Sequence, residues 1–395
     1  MRILMISDVY FPRVNGVSTS ILTFQQELAA QGHYVHIIAP TYPAGHPDQA
    51  HITRVPSGYV MFDPEDRLMK SAKIHELTPK LREMQFDVLH IQTPFLAHYA
   101  GLKLARALNI PTIETYHTFF EEYLYHYIPF LPKGITRAMT RSFSRSQCNA
   151  VDAVIVPSTA MSTVLKEYGC TTPVHIAPTG IQMAKFESGI GSRFRAKHGI
   201  PEERQLLLHV GRVAHEKNIG FLLQVVARMK ADHPQLLFLI CGEGPARNDL
   251  ENQAKQMGLQ DNVMFVGYLD RETELLDCYR AADVFIFASR TETQGLVLLE
   301  AMALGVPVVS TAVMGTIDIL SPNRGALVAE ENAEDFSSKV ARLLADRELR
   351  ISIGDEGRRY ADTWSAPATA RRVVDIYQGV IAAKNTVLQP AVSTS

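Results

Sequence analysis

Cysteine is scarce in this chain of 395 residues: only Cys148, Cys170, Cys241 and Cys278 occur. They lie far apart with no Cys-x-x-Cys pair, so neither a zinc site nor a disulfide framework is indicated. Long apolar runs are also missing. The longest, such as Leu236 to Cys241 and Val306 to Val309, fall far short of a bilayer. The opening MRILMISDVYFP reaches Asp8 quickly and has neither an extended apolar core nor a small-residue cleavage site. It is expected to be a first strand rather than a signal peptide, and the protein is expected to be cytoplasmic. No excess of either charge is present. A net charge of −2 argues against a nucleic-acid partner. A three-glycine dinucleotide fingerprint is absent too, since CGEGPARND fails at its third position; that weakens a dehydrogenase reading. No Asp-x-Asp occurs, so no obvious carboxylate pair could hold a metal against a nucleotide diphosphate. Neither cofactor nor metal is expected.

What is present is ordinary globular composition, 46% hydrophobic and 20% charged, at a length more natural for two domains than one. The halves differ in charge. Residues 1–185 carry 16 Lys/Arg against 14 Asp/Glu, the remainder 23 against 27, and ten of the fourteen histidines fall in the first half. Short Val/Ile/Leu-rich runs alternate with segments of helical periodicity, the pattern of βα units around parallel sheets. One series comprises Arg2 to Ser7, Tyr34 to Ala39, Asp87 to Ile91, Thr112 to Thr115, Ala153 to Val156 and His175 to Ala177. A second comprises Gln205 to Val210, Leu236 to Cys241, Asn262 to Val266, Asp283 to Phe287, Val306 to Ser310 and Ala326 to Val328. Each could build one doubly wound α/β domain. PTGIQMAKFESGIGSRFRAKHGIP between them has a linker's Gly/Pro/charge mixture, which places the boundary near residues 180–200. Late in the chain, Ala370, Val373, Val374, Ile376, Tyr377 and Val380 form one amphipathic helix face. The nearby Trp364 reads as a packing anchor, and the tail after about Thr386 as disordered.

Several segments carry candidate chemistry. Glu292 and Glu300 stand eight positions apart in TETQGLVLLEAMALGVPVV. Glu300 is surrounded by apolar neighbours, so its carboxylate must find a partner or face a polar cavity. Gly295 reads as the turn opening a helix, whose first N–H groups would point at an anion. Two carboxylates able to accept hydroxyl protons beside such a helix end suggest a sugar nucleotide. A solvated loop glutamate and a salt-bridged helix glutamate would account for the same residues. VGRVAHEKN follows a strand and supplies Gly211, Arg212, Glu216 and Lys217. A small residue and two nearby cations suit a diphosphate, although a surface turn with ion pairs has the same composition. Asn15 and Gly16 follow the first strand, where a phosphate-contacting turn belongs, and are equally a good turn pair. His117 falls just past a strand end. From Tyr123 to Val151 no acidic residue occurs, and Lys133, Arg137, Arg141 and Arg145 recur every four residues as one basic stripe after an aromatic run. This suits anionic lipid headgroups as well as a merely solvated helix face.

Together these segments resemble the family-4 retaining glycosyltransferases of the GT-B fold, over nearly the whole chain. The carrying signals are Glu292 and Glu300 as a Glu-x7-Glu pair, GRVAHEKN, CGEGP at Cys241 to Pro245, and FPRVNGVSTS. NGVSTS, TYHTFFEEYLYHYIP and TETQGLVLLEAMA look most like bacterial enzymes that transfer glucose to diacylglycerol. Phosphatidylinositol mannosyltransferases and sulfoquinovosyl transferases share much of the pattern. The resemblance implies two doubly wound Rossmann-like domains facing across a cleft. Residues 1–185 would lie on the acceptor side, 200–365 would bind the donor, and a helix at 366–385 would pack back toward the first domain. It also implies site roles. Arg212 and Lys217 would hold the donor diphosphate beside Gly211, with a backbone N–H from Gly16. Glu292 would bind sugar hydroxyls, near the backbone of Gln294, Gly295, Leu296 and Val297. Glu300 would bind the ribose, Gly267 and Tyr268 would flank the base, and His117 would meet the sugar at the reacting centre. Gln294 departs from the Phe that many relatives carry there, which bears on the hexose held. The expected activity is metal-independent hexosyl transfer from UDP-glucose to a membrane lipid such as diacylglycerol, on the cytosolic membrane face. Alternatives are GDP-mannose or another donor with phosphatidylinositol or a polyprenyl-linked glycan, or a sugar-nucleotide epimerase.

Overall fold

Short apolar strands alternating with amphipathic helices build two parallel sheets in the computed structural model, which describes residues 1–43, 50–60, 63–117 and 133–388. The chain divides into two units, Met1–Gly180 with Ala366–Ser395, and Ile181–Ser365.

The first unit holds β1 (Arg2–Ile6), β2 (Tyr34–Pro40), β3 (Ile52–Val55), β4 (Ser57–Val60), β5 (Asp63–Met69), β6 (Val88–Ile91), β7 (Thr112–Thr115), β8 (Ala153–Val156) and β9 (Val174–Ile176). Seven of these form one parallel sheet in the order β3-β2-β1-β6-β7-β8-β9, while β4 and β5 pair as an antiparallel hairpin. Helices cover both faces, so β1 (RILMI) and β8 (AVIV) are apolar almost throughout. Buried polar exceptions find partners: Glu114 of β7 meets His98 at 3.0 Å. The Gly16–Ala30 helix starts at Asn15, whose side chain accepts from Ser18 N at 2.8 Å while Ser18 Oγ accepts from Asn15 N at 2.9 Å. That reciprocal cap satisfies two otherwise orphaned donors.

The Ala366–Leu388 helix also belongs to this unit. Ala370, Val373, Ile376, Tyr377 and Val380 join Ile3, Met5, Ile21 and Phe24 in one core. Its Tyr377 hydroxyl lies 2.7 Å from His90 Nδ1, and His90 Nε2 lies 2.7 Å from Thr115 Oγ1. The tail after Thr386, expected to be disordered, lies mostly outside the described residues.

The second unit holds β10 (Leu206–Val210), β11 (Leu237–Cys241), β12 (Val263–Gly267), β13 (Val284–Phe287), β14 (Val308–Ser310) and β15 (Ala326–Val328). All pair in parallel, in the order β12-β11-β10-β13-β14-β15. The twofold strand period splits β10 between two cores: Leu206, Leu208 and Val210 face one, Leu207 the other. The linker-like stretch after residue 180 has structure of its own. It forms a short helix at Gly191–Lys197, buries Phe194, and ties to Asp277 through Ile190 N at 2.6 Å and Arg193 Nη2 at 2.8 Å. Backbone approach explains Gly191, since a Cβ there would sit 2.5 Å from the Arg280 carbonyl oxygen.

Removing the Tyr377 hydroxyl leaves a buried imidazole nitrogen unpaired, which costs about 1–3 kcal/mol. Tyr377→Phe is therefore expected to lower the urea unfolding midpoint, whereas a solvent-facing helix change such as Arg371→Gln leaves it in place. Equal midpoints for the two variants would contradict the role assigned to this hydrogen bond.

Candidate functional site

A parallel sheet sends every strand's following loop to one edge. In the second unit this edge collects the segments after β10, β11, β12, β13 and β14. Their backbones are laced together. Gly211 N donates to Cys241 O at 3.0 Å, Gly242 N to Gly267 O at 2.8 Å and Val213 N to Glu243 O at 2.9 Å. The approach is so close that a Cβ on Gly242 would lie 2.0 Å from the Gly211 carbonyl oxygen. Only glycine fits there, so GRVAHEKN and CGEGP work as one interlocked pair of loops.

The same edge gathers charge. After β10, Arg212 is partly exposed, and Lys217 ends a short 3-10 turn and forms an ion pair with Glu292 from the loop after β13. Both partners are mostly buried, so the pair is screened less than a surface bridge. Glu292 is held from behind by Gly315 N, which donates to its carbonyl at 2.9 Å, and Arg290 N donates to Glu216 O at 3.3 Å. Gly295, at φ 96°, is the N-cap of the Leu296–Ala303 helix. Gln294 is buried, and Leu296 and Val297 are half-buried. Glu300, one turn in, is only 5% exposed. Its carboxylate accepts from Arg271 Nη2 at 2.5 Å and from the Tyr279 hydroxyl at 2.9 Å. Facing that carboxylate holds the Arg271 guanidinium above its ordinary pKa, and burial, with Glu300 adding to it, keeps Tyr279 protonated. Gly267 takes a φ of 74° at the end of β12, and the next residue, Tyr268, is exposed.

Arg212, Lys217, Glu292 and Glu300 thus share one sheet edge, with Gly211, Gly267 and Gln294–Val297 around them. Gly16 and His117 belong to the first unit. Gly16 is the exposed first residue of its helix, with open space where a Cβ would be. His117 follows β7, and its Nε2 lies 3.0 Å from Oε1 of the buried Gln92. An amide oxygen can only accept, so Nε2 carries the ring proton. Burial pushes the His117 pKa down to about 4, which leaves the imidazole neutral near pH 7. The Lys133–Cys148 helix exposes Arg137, Arg141 and Arg145 and buries Thr136, Thr140 and Ser144. Thr136, Thr140 and Ser144 are followed on its buried side by Gln147 and Cys148, and Ser144 Oγ meets the Tyr116 hydroxyl at 2.7 Å. The aromatic run from Tyr123 to Leu131 and the Lys133 side chain lie outside the described residues.

Some partners were not anticipated from sequence. Arg271 and Tyr279 neutralise Glu300, Gln92 orients His117, and His209 is fully buried and stacks on Phe287 at 5.5 Å. Only His209 leaves a visible signal, as a single imidazole in the apolar run LLLHV.

Comparison with known proteins decides the family. Residues 14–185 match the model described as Glycosyltransferase Family 4, and residues 192–360 match Glycosyl transferases group 1. An alpha-monoglucosyldiacylglycerol synthase of Streptococcus pneumoniae is 38% identical over 319 residues, 78% of this chain and 71% of that protein. The chain belongs to glycosyltransferase family 4. A GDP-mannose-dependent alpha-mannosyltransferase of Mycolicibacterium smegmatis is 28% identical over 96% of this chain and 98% of its own length. In fold, sucrose-phosphate synthase of Thermosynechococcus elongatus superposes with a TM-score of 0.77 at 24% identity, covering 97% of this chain and 99% of that one. The protein is a glycosyltransferase of the GT-B fold. Among its described residues no helix is long and apolar enough to cross a membrane.

Three of the transferase's histidines set an acid limit. Burial pushes His90 down to about 3 and both His117 and His209 to about 4. All three are depressed below the unfolded value near 6.5, so the unfolded chain binds more protons between roughly pH 3 and 6.5. Stability is expected to be full above that window and to decline as pH falls through it. Unfolding midpoints across the window, with imidazole shifts by NMR, check this; a His117 resonance titrating near 6.5 would contradict the burial account.

Proposed function

We propose that the enzyme transfers a hexose from a nucleotide-diphosphate sugar, UDP-glucose, to the hydroxyl of a membrane lipid such as diacylglycerol, with retention at the anomeric carbon. The observation that carries the donor half is the pairing at one sheet edge: Lys217 with Glu292, and Glu300 with Arg271 and Tyr279. Without donor, Glu292 neutralises Lys217. With donor, Lys217 and Arg212 take the diphosphate, and Glu292 turns its lone pairs to sugar hydroxyls. Glu300 has one acceptor site on each oxygen engaged and the rest free for ribose hydroxyls. The backbone of Gln294 to Val297, at the start of a helix, supports anion binding, with Gly211 alongside. Gly267 and Tyr268 are assigned to the base, Gly16 to the diphosphate, and His117 to the transferring sugar. His117 carries no positive charge there, so it acts as a hydrogen-bonding group rather than a counter-ion.

The bond from the anomeric carbon to the diphosphate oxygen breaks as the acceptor oxygen approaches the same face. The departing diphosphate, stabilised by Arg212 and Lys217, takes the hydroxyl proton. Positioning and charge stabilisation supply the catalysis, and no metal is called for. The lipid acceptor is supported by the name of the S. pneumoniae relative and by the exposed Arg137, Arg141 and Arg145, which suit the anionic cytosolic membrane face. A second donor, GDP-mannose, is favoured by the mycobacterial relative, which aligns over nearly the whole chain.

Incubation with UDP-glucose, GDP-mannose and lipid extracts, with mass spectrometry of new glycolipids, separates these donors. Nucleotide release is expected only when acceptor is present; isomerised donor without release would mean epimerisation instead. Arg212→Ala and Lys217→Ala are each expected to lower kcat/KM for the donor by roughly 10²-fold. Values near wild type would refute the diphosphate assignment. Neutralising Arg137, Arg141 and Arg145 together should release the protein from anionic vesicles on sedimentation, at up to ~1 kcal/mol per side chain. Undiminished pelleting would count against docking by this helix.

A further inference from the structure

Two of the cysteines come together where the Lys133–Cys148 helix ends. Cys148 is its last residue and is 0% exposed, whereas Cys170 is half-buried. The residue after Cys148 clamps the chain on both sides of Cys170. Asn149 Nδ2 donates to Gly169 O at 3.3 Å, and Asn149 Oδ1 accepts from Thr171 N at 2.8 Å, Thr171 Oγ1 at 3.2 Å and Thr172 N at 3.4 Å. Cys170 N donates to Leu165 O at 3.0 Å, which fixes it against the end of the Thr159–Glu167 helix. Arg145 packs against the same turn, its Cδ 3.2 Å from where a Cβ on Gly169 would be. Within this clamp the Cys148 and Cys170 side chains meet, and the Cys170 thiol donates to Thr172 O at 3.7 Å.

We propose that Cys148 and Cys170 are a peroxide-responsive modification site that closes reversibly into a disulfide. The geometry assigns the roles. Cys170 alone meets solvent, so it is the sulfur that encounters the oxidant. Contact with Cys148 draws the Cys170 pKa down to about 7, which favours the thiolate. Contact with Cys170, together with burial, pushes the Cys148 thiol up and keeps it protonated. The Cys170 thiolate attacks hydrogen peroxide. An S–O bond forms, the O–O bond breaks, and the released hydroxide leaves as water after taking a proton. The Cys148 sulfur then attacks the sulfenic acid at Cys170. The S–S bond forms, the S–O bond breaks, and the hydroxyl leaves as a second water with the Cys148 proton. Two thiols lose two electrons, and one peroxide becomes two waters. A low-molecular-weight thiol reverses the bond by exchange.

The other pair supplies a control inside the molecule. Cys241 and Cys278 also meet each other, but both are buried, so neither meets peroxide while the protein is folded.

The test treats the whole native protein with graded hydrogen peroxide, alkylates free thiols, and maps them by mass spectrometry after digestion. Joint loss of the Cys148 and Cys170 thiols is expected, as one linked peptide pair that dithiothreitol separates, with Cys241 and Cys278 alkylated only after unfolding. The rate is expected to rise with pH and level off above about 7. In Cys148→Ser, Cys170 should stop at a dimedone-trappable sulfenic acid and proceed to sulfinic acid; in Cys170→Ser, the Cys148 thiol should persist. If wild-type Cys170 reaches sulfinic acid while Cys148 remains a thiol, or if Cys148 and Cys170 oxidise no faster than Cys241 and Cys278, the proposal is overturned.

Discussion

Every strand of the two large sheets runs in the same direction as its neighbours, so each sheet has one edge at which all following loops emerge. The rest of the molecule depends on that constraint. It brings residues 212, 217, 292 and 300 to one border, although nearly ninety positions of sequence separate the first from the last. It also explains why glycine is required where the loops after β10 and β11 touch. Two backbones leaving adjacent parallel strands at strand spacing leave no room for a Cβ between them. The chemistry is carried by loops, but the hydrogen-bond ladder beneath sets their separation.

The charges on this border are arranged in pairs that can exchange partners. A lone buried carboxylate or ammonium would be costly, and each here has a counter-charge or donor within the protein. Lys217 and Glu292 hold each other; Glu300 is held by Arg271 and a phenol. Under the proposed function, a nucleotide-sugar donor would supply both a substitute anion for the lysine and substitute donors for the glutamate.

Much of this was legible from sequence. The twelve strand segments read from Val/Ile/Leu runs correspond to strands, because two-sided burial writes itself as continuous apolar residues. Gly295 as a helix opening was legible from its place between a loop and an apolar run, and family membership from Glu292, Glu300, GRVAHEKN and CGEGP together. The hairpin of β4 and β5 was not. SGYV and DPEDRLM show little apolar alternation, and the pair is supported by backbone bonds and by Arg67 over the Tyr59 ring at 3.7 Å. Among the described residues, β3 (ITRV) is a short edge strand whose only sheet neighbour is β2. The partners Arg271, Tyr279 and Gln92 were hidden for another reason. They lie 29, 21 and 25 positions from the residues they serve, and no local period connects them.

The Ala366–Leu388 helix completes the core begun by Ile3 and Met5, with the whole second unit lying between them in the chain. On the ribosome this order has a kinetic meaning. Synthesis proceeds from the amino end at roughly 5–20 residues per second, so the early sheet must wait many seconds for its last layer. Meanwhile the surface destined for Ala370, Val373 and Tyr377 is exposed, and the contiguous second unit can fold first. The nascent chain therefore has a built-in interval of vulnerability to aggregation, and it ends only as the final helix leaves the exit tunnel.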